Sequence, residues 1–175
     1  MQLSFPSDAV VVVAGVPGAG KTTLIRRAVD RDRVRVVDTD DRREAGRRRL
    51  LYPGHYARIA AAIAGRRPVV IHSRGTHAGA RRLIAVLAAL RGRSAHLVLL
   101  DAGRGEAEAG QRRRGRMVPS DEMDRQVARW RSLLAHGPVG EGWSSVTVLD
   151  RAQAARTDAF EFRAAAARPV VAATM

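Results

Sequence analysis

The sequence predicts an α/β fold: five parallel strands in one sheet, with helices on both faces. Two observations carry this. Five short runs rich in Val, Ile and Leu recur along the 175 residues. They are continuous rather than alternating, as strands buried on both faces of a parallel sheet require. The stretches between them are long enough for crossover helices and carry apolar residues at helical spacing. An apolar content of 46% suits a globular chain, and this length suits one domain over residues 1–175 with a sizeable core.

The first strand is expected at residues 9–14 (AVVVVA), the second at 34–37 and the third at 68–72 (PVVIH). The fourth and fifth fall at 96–100 (HLVLL) and 146–149 (VTVL). A helix is expected over residues 53–63, where Tyr56 and Arg58 read more simply as packing than as substrate contacts. In the helix expected over 76–90, Leu83, Ile84, Leu87 and Leu90 share the inner face, with Arg81 and Arg82 off it. Met123, Val127, Trp130 and Leu134 mark another over 121–135, after a Ser120 suited to capping its start. A C-terminal helix is expected over 152–167, ending before Arg168-Pro169.

Composition excludes several classes. With no cysteine there is no disulfide framework, thiolate metal site or thiol nucleophile. No apolar run approaches the roughly 18–20 residues of a membrane span, and residues 1–8 lack a signal-peptide layout. A cytoplasmic chain is the expectation. The 31 basic residues against 17 acidic ones give a formal charge of +14, yet only one of the 31 is lysine, Lys21. So uniform a choice of arginine points to coding composition, which makes the charge weak evidence for an anionic partner.

Lys21 lies in GVPGAGKT, residues 15–22, which follows the first strand and precedes a helix. This is the phosphate-loop pattern G-x-x-x-x-G-K-[ST] in the context it needs. Gly15, Gly18 and Gly20 admit backbone conformations that side chains resist, letting successive amides wrap phosphate oxygens at the positive end of a helix. Lys21 sets a compact charge on the β- and γ-phosphates, and the Thr22 hydroxyl is suited to Mg²⁺. Residues 18–23, from Gly18 through Ala19 to Thr23, with Gly15, make the nucleotide-binding set. Arginine, with its wide planar fork, does not replace an ammonium there. The one lysine falls where lysine is needed.

A second constellation follows the second strand, in VRVVDTDDRRE (residues 34–44). Ligands of parallel α/β sheets bind beyond the carboxyl ends of the strands, so Asp38, Asp40 and Asp41 lie on the active edge. Asp40 is the candidate for accepting an acceptor proton or helping hold Mg²⁺. Asp38 and Asp41 read equally well as carboxylates at a helix start.

Together, GVPGAGKT and the later TDDRR resemble the small P-loop kinases and AAA-type ATP-binding proteins related to the polynucleotide 5′-kinase domain and the zeta toxins. The resemblance implies that Asp40 acts as base toward an acceptor hydroxyl and that Arg43 binds substrate phosphate. It extends to QRRRGRMVP, residues 111–119, which is similar to the Arg-rich lid of those kinases. Arg112, Arg114 and Arg116 are then candidates for stabilising the migrating charge. Two positions depart from the pattern. HSRGT (residues 72–76) puts His72 where such kinases carry an acid, leaving Arg74 and Thr76 as candidates for altered substrate recognition. Gly110 stands where the lid's leading arginine is expected. Asp101, ending the fourth strand, reads equally as a metal partner or an ordinary strand-end carboxylate.

The five histidines lack metal-ligand spacing. There is no G-x-S-x-G elbow to support serine hydrolase chemistry. Aromatic content of 4% offers few stacking platforms for single strands. The expected activity is Mg²⁺-dependent transfer of the ATP γ-phosphate to a hydroxyl, on a small molecule or a nucleic-acid 5′-end. The alternative is an ATP-binding or ATPase regulatory protein without efficient transfer.

Overall fold

The computed structural model describes residues 1–38, 48–115 and 117–164, apart from the side chains of residues 48–53. In chain order it opens with β1 (Gln2–Pro6), β2 (Val10–Ala14), α1 (Lys21–Ala28), β3 (Arg35–Asp38) and α2 (Arg48–Ala64). Next come β4 (Val69–Ser73), α3 (Ala78–Ala89), β5 (Ala95–Leu100), α4 (Arg104–Arg112) and α5 (Ser120–His136). The described part closes with β6 (Ser145–Leu149), α6 (Arg151–Arg156) and β7 (Ala159–Arg163).

Five strands form one parallel sheet in the order β3-β4-β2-β5-β6. Each sits within one residue of its expected bounds. Crossovers between parallel strands are right-handed. The step from β2 to β3 runs opposite to all later steps, so α1 covers one face and α2, α3, α4 and α5 the other. Contacts between α2 and α3, and between α1 and β7, agree with this division. Covered on both sides, β2 is wholly inaccessible from Val10 to Ala14. Its four valines, at about 1.5–3 kcal/mol each against exposure, favour burial by roughly 6–12 kcal/mol, an upper estimate. Among the described residues no helix is long and apolar enough to cross a membrane.

Expectations about three helices need correction. The C-terminal helix ends at Arg156, and residues 159–163 form a strand instead; residues 165–167 lie outside the described residues. Asp150 caps α6 by accepting from the Gln153 amide at 2.7 Å, and Thr157 closes it by donating to the Gln153 carbonyl at 2.8 Å. Beyond it AFEFR alternates with period two, and β7 pairs in parallel with β1 as a separate two-stranded sheet. This pairing gathers Phe5, Phe160 and Phe162, the chain's three phenylalanines, with ring centroids 5.5 and 5.7 Å from Phe5.

In α3 the inner face holds Arg81, Ile84, Ala85 and Ala88, while Leu83 and Leu90 are 41% and 76% exposed. Arg81 is tolerated inside because Glu141 accepts from its Nε at 2.8 Å and its Nη2 at 2.5 Å. In α5 the buried set is Met123, Gln126, Trp130 and Leu133, turned from the expected face toward a buried amide. Its N-cap position is Pro119, and Ser120 is the first helical residue without a capping bond.

At the opposite end from the phosphate loop, buried Arg93 fastens three elements. It donates to the carbonyls of Asp8, Ile63, Gly65 and Arg67 at 2.6–2.9 Å. Burial lowers its pKa, and the Asp8 charge partly offsets this.

Candidate functional site

The phosphate loop lies at the carboxyl end of central β2, and α1 begins at Lys21. Gly18 and Gly20 hold φ of 88° and 94°, the left-handed region that glycine alone enters freely. Gly18 has a second constraint, since a Cβ there would stand 1.9 Å from the Ala107 carbonyl oxygen of α4. Gly20 has nothing within 4 Å of a Cβ position, so its backbone side is open. No acidic residue sits in the first turn of α1, and Arg26 and Arg27 occupy its last turn. That polarity leaves the positive end of the helix to an external anion. Lys21 is 7% exposed and folds back over the loop, its Nζ donating to the Gly15 and Val16 carbonyls at 2.8 and 3.0 Å. Thr22 is half-buried and Thr23 exposed, while Ala19 is buried under the loop.

Helix α4 rests directly on this loop. A Cβ at Gly110 would lie 2.3 Å from the Gly18 carbonyl oxygen. A leading lid arginine at Gly110 is therefore excluded by contact with the phosphate loop itself. Gln111 completes the junction, donating from Nε2 to the Pro17 carbonyl at 3.2 Å and accepting at Oε1 from the Val118 amide at 2.7 Å. One side chain thus joins the loop to the segment leading into α5. Arg112 ends α4 and Arg114 follows in the turn closed by Gly115, both exposed and neither ion-paired among the described residues. Arg116 lies outside the described residues, as do Asp40, Asp41 and Arg43.

The strand ends beside the loop carry the HSRGT segment. His72 is 3% exposed and paired in register with Asp38, and its Nδ1 lies 2.6 Å from the Asp38 Oδ1. Gly75 has φ 68°, and a Cβ there would come within 2.3 Å of the Ala14 Cβ. The Arg74 carbonyl accepts from the Gly15 amide at 3.3 Å, and Arg81 donates to the Gly75 carbonyl. The turn is thereby bound to the phosphate loop at one end and to the Arg81–Glu141 pair at the other. Arg74 reaches Glu122 of α5 at 3.3 Å, and with Thr76 lines a small cavity of about 90 Å³. His55, on α2, has its pKa lowered by burial and by Arg58, partly offset by Asp38.

At the other end of the strand row a wide cleft of about 600 Å³ opens between Asp101, Gly103, Glu106, Asp150 and Arg151. Among the described residues no three His, Asp or Glu side chains are grouped to hold a metal ion. Sequence reasoning missed Gln111, the Arg81–Glu141 pair and Gln126. Ala107, Gly110 and Gln111 at i, i+3, i+4 are the signal for the first of these. So small a face on a helix marks a close approach.

The sequence matches the family described as AAA domain over residues 10–136, from β2 to the end of α5. No curated protein matches it. Among solved structures, a gluconokinase from Sinorhizobium meliloti 1021 is similar at 21% identity and a TM-score of 0.61, over 85% of this chain and 86% of that one. A chain of the PezAT chromosomal toxin-antitoxin system of Streptococcus pneumoniae is similar at 14% identity and a TM-score of 0.60, over 87% and 71%. Kti12 of Chaetomium thermophilum, in complex with ADP-AlF3, is similar at 22% identity and a TM-score of 0.53, over 85% and 94%. At these identities the likeness is one of fold alone, a P-loop α/β domain. The chain belongs to the AAA domain family.

Proposed function

We propose that the protein transfers the γ-phosphoryl group of ATP to a hydroxyl acceptor, either a small molecule or a nucleic-acid 5′-end. One observation supports this above the rest. The phosphate loop, with its lysine and an acid-free helix start, is packed at Gly18 against the helix that leads into an arginine-rich connection. A loop and a lid built onto each other suit phosphoryl transfer, in which positioning and charge stabilisation do nearly all the work.

In this reading Gly15, Gly18, Ala19, Gly20, Thr22 and Thr23 hold the phosphates through the loop and first-turn amides. Lys21 exchanges its two carbonyls for phosphate oxygens. Thr22 offers a hard oxygen of the kind Mg²⁺ takes alongside phosphates, and Asp40 is the second proposed ligand. When bound, that ion neutralises charge on the phosphates. The acceptor oxygen forms a bond to the γ-phosphorus as the bond to the bridging oxygen of ADP breaks. Asp40 takes the acceptor proton and returns it to solvent. Arg112, Arg114 and Arg116 stabilise the equatorial oxygens, while Arg43 and Arg74 hold the acceptor. The wide cleft near Asp101 and Asp150 is the proposed bed for the nucleoside.

A second reading, ATP binding without efficient transfer, draws on His72 holding Asp38 beside the loop. ATP turnover measured with a panel of hydroxyl acceptors separates the two. Transfer predicts acceptor-stimulated ADP release, lost in Lys21→Ala and Asp40→Asn. Nucleotide binding that needs Lys21, with no acceptor effect and no effect of Asp40→Asn, overturns it. For the nucleic-acid branch, oligonucleotide affinity should fall steeply with salt; a flat response removes that acceptor class.

A further inference from the structure

We infer that the small cavity between the Arg74–Thr76 turn and α5 binds the anionic end of a small hydroxyl-bearing acceptor, a carboxylate or phosphate one or two carbons from a hydroxyl. The role as acceptor site rests on the phosphotransfer reading; the binding itself does not.

Charge is the first ground. Arg74, Arg125 and Arg129 line the cavity against a single lining carboxylate, Glu122. Arg74 is engaged with Glu122 at 3.3 Å and Arg125 with Asp121 at 3.0 Å. Arg129 has no ion pair among the described residues and is the surplus cation. An oxyanion is the ligand that a forked, weakly hydrated guanidinium favours.

The second ground is a buried atom with nothing to bond. Gln126 lines the same cavity at 5% exposure, and its Oε1 has no hydrogen-bond partner among the described residues. The orientation of its amide is settled by Glu122, whose Oε1 accepts from the Gln126 Nε2 at 2.9 Å. Only the carbonyl end remains, and it accepts. Leaving such a group unpaired costs about 1–3 kcal/mol, so the site calls for a donor, which an oxyanion alone does not bring. A neighbouring hydroxyl does. One helical turn on, the buried Trp130 Nε1 is likewise without a partner among the described residues, a donor on the same face as the orphan acceptor.

Size and position complete the case. About 90 Å³ holds a few water-sized groups, enough for one oxyanion head and a hydroxyl-bearing carbon but not for a whole sugar. The rest of the ligand must extend outward. The turn that forms one wall is bonded through the Arg74 carbonyl to the Gly15 amide, the first residue of the phosphate loop. A ligand anchored here is held beside the phosphate site by a wall that Gly75 and Arg81 keep fixed.

The test titrates the full chain, without nucleotide, with glycerate, glycerol 3-phosphate, propionate and glycerol. The anions should bind and glycerol should not, and the stronger of glycerate and glycerol 3-phosphate identifies the head group. Arg129→Gln should weaken anion binding at least tenfold, while Arg66→Gln, an exposed arginine outside the cavity, should not. Gln126→Met should remove the preference for glycerate over propionate without abolishing propionate binding, with melting temperature confirming the fold. Glycerol binding as well as the anions overturns the proposal. So does a change below twofold in Arg129→Gln, or an unaltered preference in Gln126→Met, which would leave water as the partner of that carbonyl. Anion binding that follows these expectations with no transfer from ATP overturns the phosphotransfer reading alone. Transfer to a neutral acceptor, undiminished in Arg129→Gln, overturns the subsite alone.

Discussion

Two glycines of α4 separate helix propensity from contact with the phosphate loop. Gly105 has nothing within 4 Å of a Cβ position, whereas at Gly110 a Cβ would meet the Gly18 carbonyl oxygen at 2.3 Å and its Cα at 3.3 Å. Alanine favours a helix over glycine by roughly 0.5–1 kcal/mol, so Gly105→Ala should raise stability by about 0.5 kcal/mol. At Gly110 the same gain is opposed by overpacking, about 1–3 kcal/mol and toward the upper end when the neighbour is backbone. A net loss of about 2 kcal/mol follows. For a chain of this size that is a fall in melting temperature of about 4–8 °C, against a rise of about 1–2 °C for Gly105→Ala. Relief requires the Gly18 carbonyl and α4 to part by about 1 Å, and a misplacement of that size in a phosphate site can cost up to about 100-fold. Thermal melts and titration with a fluorescent ATP analogue read both effects. If the two variants rise together and bind nucleotide as the parent does, the contact between loop and helix is not what fixes Gly110.

Three other outcomes follow from the same contacts. Arg81→Met leaves the Glu141 carboxylate buried without its bidentate partner and should cost about 3–5 kcal/mol in urea unfolding. The double variant Arg81→Met/Glu141→Leu should recover most of this, and a double loss no smaller than the single one would contradict the ion-pair account. Lys21→Arg keeps the charge but puts a planar fork where an ammonium folds over two carbonyls; ATP affinity should fall at least tenfold with little change in melting temperature. Burial lowers the His96 pKa, with Asp8 partly offsetting it. Below about pH 6.5 the unfolded chain then binds more protons than the folded one, so stability is lost as pH falls toward the lowered value. The slope is no more than about 1.4 kcal/mol per pH unit for this group. His96→Gln should flatten that part of the pH–stability curve, and an unchanged slope would mean the titrating group lies elsewhere.

The five sheet strands were legible because a strand buried on both faces writes an unbroken apolar run, and AVVVVA has no other comfortable home. The edge pair β1 and β7 was not. QLSFP and AFEFR alternate over only five residues, so the first goes unassigned and the second falls inside an expected helix, and only their mutual pairing around three phenylalanines distinguishes them. Helix faces failed for a different reason. Counting apolar side chains placed Ile84 inward correctly but turned Leu83 and Leu90 inward with it, whereas the packed face of α3 is Ile84 with Arg81 and two alanines, the arginine made acceptable by Glu141 sixty residues away. Such a partner carries no local mark. The place and conformation of the phosphate loop, between β2 and α1 with Gly18 and Gly20 left-handed, were legible because the pattern demands glycine and lysine at fixed spacing. Asp40, Asp41, Arg43 and Arg116 rest on the sequence alone.

The departures from the kinase pattern share a physical cause that no one of them reveals by itself. His72 and Gly75 lie in one segment and Gly110 in another, yet each is in close contact with a partner at the carboxyl end of the sheet: Asp38, Ala14 and Gly18 respectively. An arginine at Gly110 would collide with the loop, and any side chain at Gly75 would collide with β2 while holding a left-handed φ. An acid at position 72 would face the Asp38 carboxylate at hydrogen-bond range, whereas an imidazole there accepts or donates as Asp38 requires. The residues at these positions are therefore fitted to their surroundings. In the phosphotransfer reading, with no arginine able to lead the lid, the cationic work near the acceptor falls to groups that enter from α5, where Arg125 and Arg129 stand. Restoring the kinase-like residue by Gly110→Arg should then lower nucleotide binding instead of improving transfer. Improved transfer in that variant would show the departure to be a loss after all.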